Sequence, residues 1–501
     1  MSAVAPLPGQ PAALRGGPAS TSTRVVKAVG ALLLLNALLS FENWWPTPAI
    51  KPDSRLAPEF VMLWVSARNL PLWLQLAILA AVALCFVGLH RGLRALIAVA
   101  AREAVPYALR SRWSLGVTAA ALVLVAANLA GVRATWPVVS KPVLPTYLRQ
   151  ADLLATAFSP IRLAQALPPS PPFRSDLAAL EGADVKLLFV ESYGAVAFDN
   201  PQARRELTAS RAALASAIEA GGRQVVSAYV RAATFGGASE LSHLSLLSGV
   251  DLSDPIRHDL LLTTSRPTLV SLFRSHGYQT LGFYPALNWD WPEKAFYGFD
   301  RFYDRRDLDY RGPRLGYWWI PDQIALARLE QREPIRPNSP PRLLFFPTIT
   351  SHIPFRPVPP YQPDWARAAT DQPFDDDQIA RAQADRVDWL DLFPAYLRMM
   401  EYSYRWIAGY VERPAPRDYL LILVGDHQPA SGVSGSGAPW EVPVHVVSSN
   451  PRLLERFVAR GFRPGLEPQR PALGGMHDLT RVLLGAFDGS SPPPESLAND
   501  H

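Results

Sequence analysis

Val185-Lys186-Leu187-Leu188-Phe189-Val190-Glu191-Ser192-Tyr193-Gly194 is the stretch on which the fold turns. It is a short apolar run of the kind found in a strand buried on both faces, and it closes on polar residues. Five later runs repeat the pattern: Gln224 to Tyr229, Thr280 to Tyr284, Leu343 to Thr348, Tyr419 to Val424 and Val442 to Val447. Among them Arg204 to Ala220, Thr268 to His276, Asp322 to Gln331, Pro394 to Glu412 and Pro451 to Arg460 carry helical spacing. Strands and helices alternating at this interval predict an α/β domain built on a doubly wound, mostly parallel sheet with helices on both faces. In such sheets functional residues belong at the carboxyl ends of strands.

The first third of the 501 residues is different in kind. Runs at about 25–41, 70–89 and 115–132 are nearly uncharged and close to the roughly 20 residues that cross a bilayer core. Lys27 is the only charge within them, near enough to an end to reach the headgroups, and Trp44, Trp45, Trp64, Trp73, Trp113 and Trp136 lie near their ends. Leu93 to Ala101 is too short to span and reads as interfacial. Arg91, Arg94, Arg102, Arg110 and Arg112 between the second and third runs place that loop and the N-terminus in the cytoplasm. The expectation is a multi-pass protein of the inner membrane with its large C-terminal domain periplasmic or otherwise extracytoplasmic.

The expected domains are a disordered cytoplasmic tail (1–24), a transmembrane region (25–132), a proline-dotted linker (133–183), a catalytic domain (184–488) and a disordered tail (489–501). Prolines and clustered acids between Val358 and Asp391 suggest an insertion or lid. The net charge of +5 derives in part from the juxtamembrane arginines, so no nucleic-acid partner is expected. The only cysteine, Cys85, falls in a predicted span, which leaves the soluble domain without disulfides or a thiol nucleophile.

Three places carry candidate chemistry. Glu191 ends the first strand, Asp426-His427 follows Leu420-Leu421-Ile422-Leu423-Val424-Gly425, and Thr234 sits in the glycine-rich turn Ala233-Thr234-Phe235-Gly236-Gly237-Ala238-Ser239-Glu240. A parallel sheet brings such strand ends to one edge, where two carboxylates, an imidazole and a hydroxyl make a divalent metal site. Metal coordination would activate the threonine hydroxyl, a weak nucleophile by itself. The helix predicted from Leu241, Leu244 and Leu247 would point its N–H groups at an anion under attack, with Ser239, Glu240 and His243 read as helix-start and packing residues.

Glu191, the Thr-Phe-Gly-Gly turn, Thr350-Ser351-His352-Ile353-Pro354-Phe355 and Gly425-Asp426-His427 together resemble the alkaline phosphatase/sulfatase superfamily, in particular its membrane-anchored branch of lipoteichoic acid synthases and phosphoethanolamine transferases. The resemblance covers roughly Asp184 to Phe487. It implies one divalent ion, zinc or manganese, held by Glu191, Thr234, Asp426 and His427, with Thr234 as the phosphorylated nucleophile and His352 catalytic beside the substrate phosphate. It implies a phosphotransferase moving a phosphoethanolamine or phosphoglycerol headgroup from a membrane lipid donor to an envelope lipid or glycan acceptor. A phosphodiesterase or sulfatase-like hydrolase and a non-catalytic envelope protein are the alternatives. Tyr284, Asn288 and His445 are candidate substrate residues, although His445, set among apolar neighbours, equally fits the core. His477 could contribute or cap a helix. Ser170-Pro171-Pro172-Phe173-Arg174 matches the sulfatase nucleophile pattern Cys/Ser-x-Pro-x-Arg by chance, since it precedes the first strand.

Overall fold

The structure, a computed structural model, describes residues 167–490 apart from 263, 288–290, 292–293 and 316–318, together with scattered helical positions between 72 and 92. Eight strands form one sheet: β1 (Asp184–Val190), β2 (Gln224–Arg231), β3 (Gln279–Tyr284), β4 (Arg301–Asp304), β5 (Arg342–Pro347), β6 (Tyr419–Gly425), β7 (Glu441–Ser448) and β8 (Arg463–Pro464). Their order across the sheet is β4-β3-β5-β1-β6-β7-β2-β8. β1 pairs in parallel with β5 and β6, and β3 in parallel with β4 and β5. β7 runs against β6 and β2, and β8 against β2, so the sheet is mostly parallel, as expected. β4 and β8 are the strands that the sequence pattern misses. Four and two residues long, at the sheet's two edges, they have no room for a hydrophobic period.

Among the helices that flank the sheet are α1 (Thr208–Ala220), α2 (Ser239–Ser248), α3 (Leu269–Ser275), α4 (Asp322–Arg332), α5 (Phe393–Val411), α6 (Pro451–Val458) and α7 (Asp478–Phe487). Alternation along β1 divides them into two layers. Leu188 and Val190 join a core with residues of α1, α4 and α5, whereas Leu187 and Phe189 join a second core with residues of α2, α3, α6 and α7. Two-sided burial explains why β1 reads as a continuous apolar run. Local signals set helix starts: Thr268 and Ser271 form a reciprocal capping box on α3, and the Asn450 side chain caps α6. Segment 358–391 packs Ala368, Ala369 and Phe374 into the first core, so this part of the expected insertion is built into the domain.

The expected spans 25–41 and 115–132, the stretch 93–101 and the N-terminal tail lie outside the described residues. So do most of the linker and the end of the C-terminal tail. Within 70–89 the described positions are helical, with Leu72, Trp73, Leu76, Leu84 and Val87 exposed. Among the described residues no helix is long and apolar enough to cross a membrane.

Gly425 ends β6 where the backbones crowd: a Cβ there would lie 1.9 Å from the Tyr193 carbonyl oxygen. We predict that Gly425→Ala destabilises the domain by about 1–3 kcal/mol through overpacking. Calorimetry on both proteins checks this, and an unchanged melting temperature would show that the strand ends are less tightly joined than described.

Candidate metal-centred active site

The register of β1 builds the site. Val190 pairs with Gly425 and Phe189 with Pro347, so the residues that follow these pairs emerge side by side at one sheet edge. Side chains then stitch the three strand ends together. The Thr348 hydroxyl accepts from the Glu191 N–H (3.1 Å), the Ser351 hydroxyl donates to the Glu191 carbonyl (2.6 Å), and Asp426 Oδ1 accepts from the N–H groups of Ser192 (2.8 Å) and His427 (2.6 Å). Each bond satisfies a buried group at a loop start, where the ladder has ended.

Glu191, Asp426 and His427 converge in this corner, all buried, with one donor atom of each within 4.8 Å of the others. The His427 Nδ1–H donates to the Gln428 carbonyl (2.8 Å), which leaves the Nε2 lone pair facing the carboxylates. Nε2 lies 3.5 Å from Glu191 Oε1 and 3.6 Å from Asp426 Oδ2.

The hydroxyl that completes the cluster belongs to Ser239. Its Oγ lies 3.2 Å from His427 Nε2 and 3.4 Å from Glu191 Oε2. The hydroxyl of Thr234, the expected nucleophile and metal ligand, donates to the Gly237 carbonyl (2.7 Å) and pins the turn. Ser239, expected only to start and pack the helix, is the first residue of α2, where no side chain caps the open N–H groups. Gly236, Gly237 and Ala238 all have positive φ (74°, 148° and 58°), and the Gly236 N–H donates to the Gln428 carbonyl (3.0 Å). Left-handed backbone at Ala238 carries strain of about 1–2 kcal/mol, held by this docking.

The donor set fits a divalent ion. Metal bonds of about 2.0–2.1 Å in a tetrahedron place ligand atoms about 3.3 Å apart. The separations of 3.2 to 3.6 Å given above match that edge, and three oxygens with one imidazole are a donor set for a divalent ion. Electrostatics agree. Burial, and then Glu191, raise the Asp426 pKa to about 7, as expected of two carboxylates sharing a dry site without a cation. Burial opposes charging His427, but Asp426 and Glu191 outweigh it and the pKa is raised.

A cavity of about 180 Å³ opens over the cluster, lined by Ser239, Glu240, Tyr284, Leu287, His352 and Phe355 among others. Burial, followed by the proximity of His427, lowers the His352 pKa, and its Nδ1 bonds the Ile353 carbonyl (2.6 Å). Asp322, not singled out from sequence, fixes that loop: its carboxylate accepts from the N–H groups of Ile349 (2.8 Å) and Thr350 (3.0 Å). The only signal for it was an acid opening the helix Asp322 to Gln331. Tyr284 is in the cavity wall, Asn288 lies outside the described residues, and His477 does not line the cavity. His445 is buried in the core, away from the residues that line the cavity, with its ring nitrogens bonded to Tyr193 Oη (2.9 Å) and Ser227 Oγ (2.6 Å).

Residues 217–448 match the family model described as Sulfatase, a range that begins after Glu191 and includes the other cluster residues. No curated protein sequence matches the chain. Similar solved structures include the lipoteichoic acid synthase LtaP from Listeria monocytogenes (12% identity, 65% of this chain and 77% of that one, TM-score 0.39). The Streptococcus pyogenes phosphoglycerol transferase GacH, in complex with sn-glycerol-1-phosphate, is 11% identical over 68% of this chain and 80% of that one (TM-score 0.39). The C-terminal periplasmic domain of EcEptC from Escherichia coli is 14% identical over 56% and 76% (TM-score 0.36).

Burial lowers the His445 pKa from 6.5 to about 3. The folded state therefore refuses a proton that the unfolded state takes, and stability present above pH 6.5 is lost as pH falls through that value toward 3. Replacing His445 with Gln is predicted to remove up to about 1.4 kcal/mol per pH unit from the slope of stability between pH 6.5 and 4.5. Urea unfolding across that range reads the slope; an unchanged slope would mean that His445 is protonated in the fold.

Proposed function

We propose that this chain, whose residues 217–448 match the Sulfatase family model, is a metal-dependent phosphotransferase of the alkaline phosphatase superfamily working through a covalent Ser239 intermediate. The observation that carries the reading is the placement of Ser239 Oγ between His427 Nε2 and Glu191 Oε2 at the start of α2. Glu191, Asp426, His427 and Ser239 would hold the ion, zinc or manganese, which when bound supplies Lewis acidity toward a phosphoryl oxygen and lowers the pKa of a ligated hydroxyl.

The chain's own residues do the rest. Ser239 presents Oγ to phosphorus; an Oγ–P bond forms as the bond to the leaving alkoxide breaks, and the hydroxyl proton passes to solvent. The N-terminus of α2 favours the negative charge spread over the phosphoryl oxygens. Neutral His352, with Nδ1 committed to a carbonyl, can take the proton of an acceptor hydroxyl at Nε2 in the second half-reaction. The acceptor oxygen then bonds phosphorus and the Ser239–phosphate bond breaks. Phosphorus is favoured over sulfur because Ser239-Glu240-Leu241-Ser242-His243 lacks the proline and arginine of the Cys/Ser-x-Pro-x-Arg nucleophile pattern.

The membrane runs in the first third support anchoring to the inner membrane with the catalytic domain outside it, close to a lipid donor of phosphoethanolamine or phosphoglycerol type. An envelope lipid or glycan would be the acceptor.

With bis(p-nitrophenyl) phosphate as test substrate and zinc or manganese added, Ser239→Ala should lower turnover at least about a thousandfold. Thr234→Ala should cost about threefold or less, with a stability loss of about 1 kcal/mol from one hydrogen bond. The opposite order would return the nucleophile to Thr234.

A further inference from the structure

The cavity over the cluster has acids and histidines in its wall but, among the described residues, no lysine or arginine lines it. Two arginines on segments that adjoin it, Arg305 and Arg314, carry guanidiniums gathered on one indole ring. Arg305 follows the end of β4, where Asp304 pairs with the cavity residue Tyr284, and its N–H donates to the carbonyl of Leu287, another cavity residue (2.9 Å). Its guanidinium carbon lies 4.1 Å from the centre of the Trp319 ring, and that of Arg314 lies 3.6 Å from the same centre. Trp319 is 37% exposed and has φ of 82°, a conformation that costs a bulky residue energy and is found where a side chain must be presented in a set direction. Three residues later, Asp322 holds Ile349, another residue of the cavity wall.

The neighbouring acids are committed elsewhere. Asp304 pairs with Arg306 (2.6 Å), Asp309 with Arg311 (3.4 Å), and Asp307 accepts from the Asp304 N–H (2.8 Å). Among the described residues no carboxylate pairs with Arg305 or Arg314. Burial, and then Arg314, hold the Arg305 pKa below its ordinary value, consistent with two like charges brought to one ring. Stacking on an indole fixes the plane of a guanidinium and leaves its N–H edge for bidentate capture of an oxyanion.

We propose that Arg305 and Arg314, stacked on Trp319 at the cavity's side, form a second oxyanion subsite that takes a phosphate group carried by the substrate a few bonds from the one transferred. This rests on the phosphotransferase reading above and narrows its substrate class to compounds with two phosphate groups.

The test is calorimetric binding to the full-length, metal-loaded protein of α,ω-alkane bisphosphates with three to six carbons, against propyl phosphate. At least one bisphosphate should bind about tenfold more tightly than the monophosphate. Arg305→Gln/Arg314→Gln should abolish that advantage and change monophosphate affinity less than twofold, with each single variant intermediate. A bisphosphate advantage that survives in the double variant overturns the subsite. So does the absence of any advantage in the wild type, or an equal loss for both probes. Because binding is read without turnover, an inactive wild type would count against the phosphotransferase reading and leave the subsite judged by its own result.

Discussion

Two carboxylates, Glu191 and Asp426, are buried against one imidazole nitrogen, and much of the domain's upper edge is arranged around that fact. Removing two like charges from water is costly unless a cation or a set of hydrogen bonds offsets the loss. The hydrogen bonds are visible: Ser192, His427, Thr348 and Ser351 each engage one of the two acidic residues or its backbone. The separations among the remaining donor atoms are those of a metal tetrahedron. The central place of β1 makes this possible, since only a strand flanked by both β5 and β6 can set Glu191 beside His352's loop and Asp426 at once. Packing and chemistry share a cause here, because the tight register that crowds Gly425 also aligns the ligands.

The turn before α2 brings a hydroxyl to the cluster. Three consecutive positive φ angles precede the helix, which begins at Ser239 with the Ser239 hydroxyl against the cluster. Thr234 stabilises this turn from inside. The arrangement separates two tasks that a glycine-rich turn with two hydroxyls could have combined: one hydroxyl holds the loop, and the other faces the cluster. Among the described residues no arginine or lysine lines the cavity, and the guanidiniums of Arg305 and Arg314 gather instead on the Trp319 ring.

Much of the fold was legible because buried parallel strands write themselves as continuous apolar runs. All six strands named from sequence are present, and the two missed are edge strands too short for a pattern. Glu191, Asp426 and His427 were legible because each directly follows such a run. Which of the turn's hydroxyls, Thr234 or Ser239, lies against the cluster was not. Both hydroxyls lie in the same turn, and only the left-handed residues between them decide which one reaches the helix start. A sharper signal was available in the rule that an anion site sits at the helix N-terminus, since Ser239 immediately precedes the apolar period of Leu241, Leu244 and Leu247. His445 shows the opposite limit. A histidine in a strand pattern carries no mark of whether it faces a cavity or, as here, two hydroxyls in a core. Asp322 acts through tertiary bonds to a loop distant in sequence, which no local pattern encodes.

The most direct measurement is the identity of the residue that carries the transferred group. Turnover of a phosphodiester substrate quenched in acid, followed by peptide mass mapping of 233–249, should find the added phosphoryl mass on Ser239, dependent on the divalent ion and absent when Asp426 is replaced by Asn. The same mass on Thr234, or turnover with no modified residue in this segment, would contradict the account.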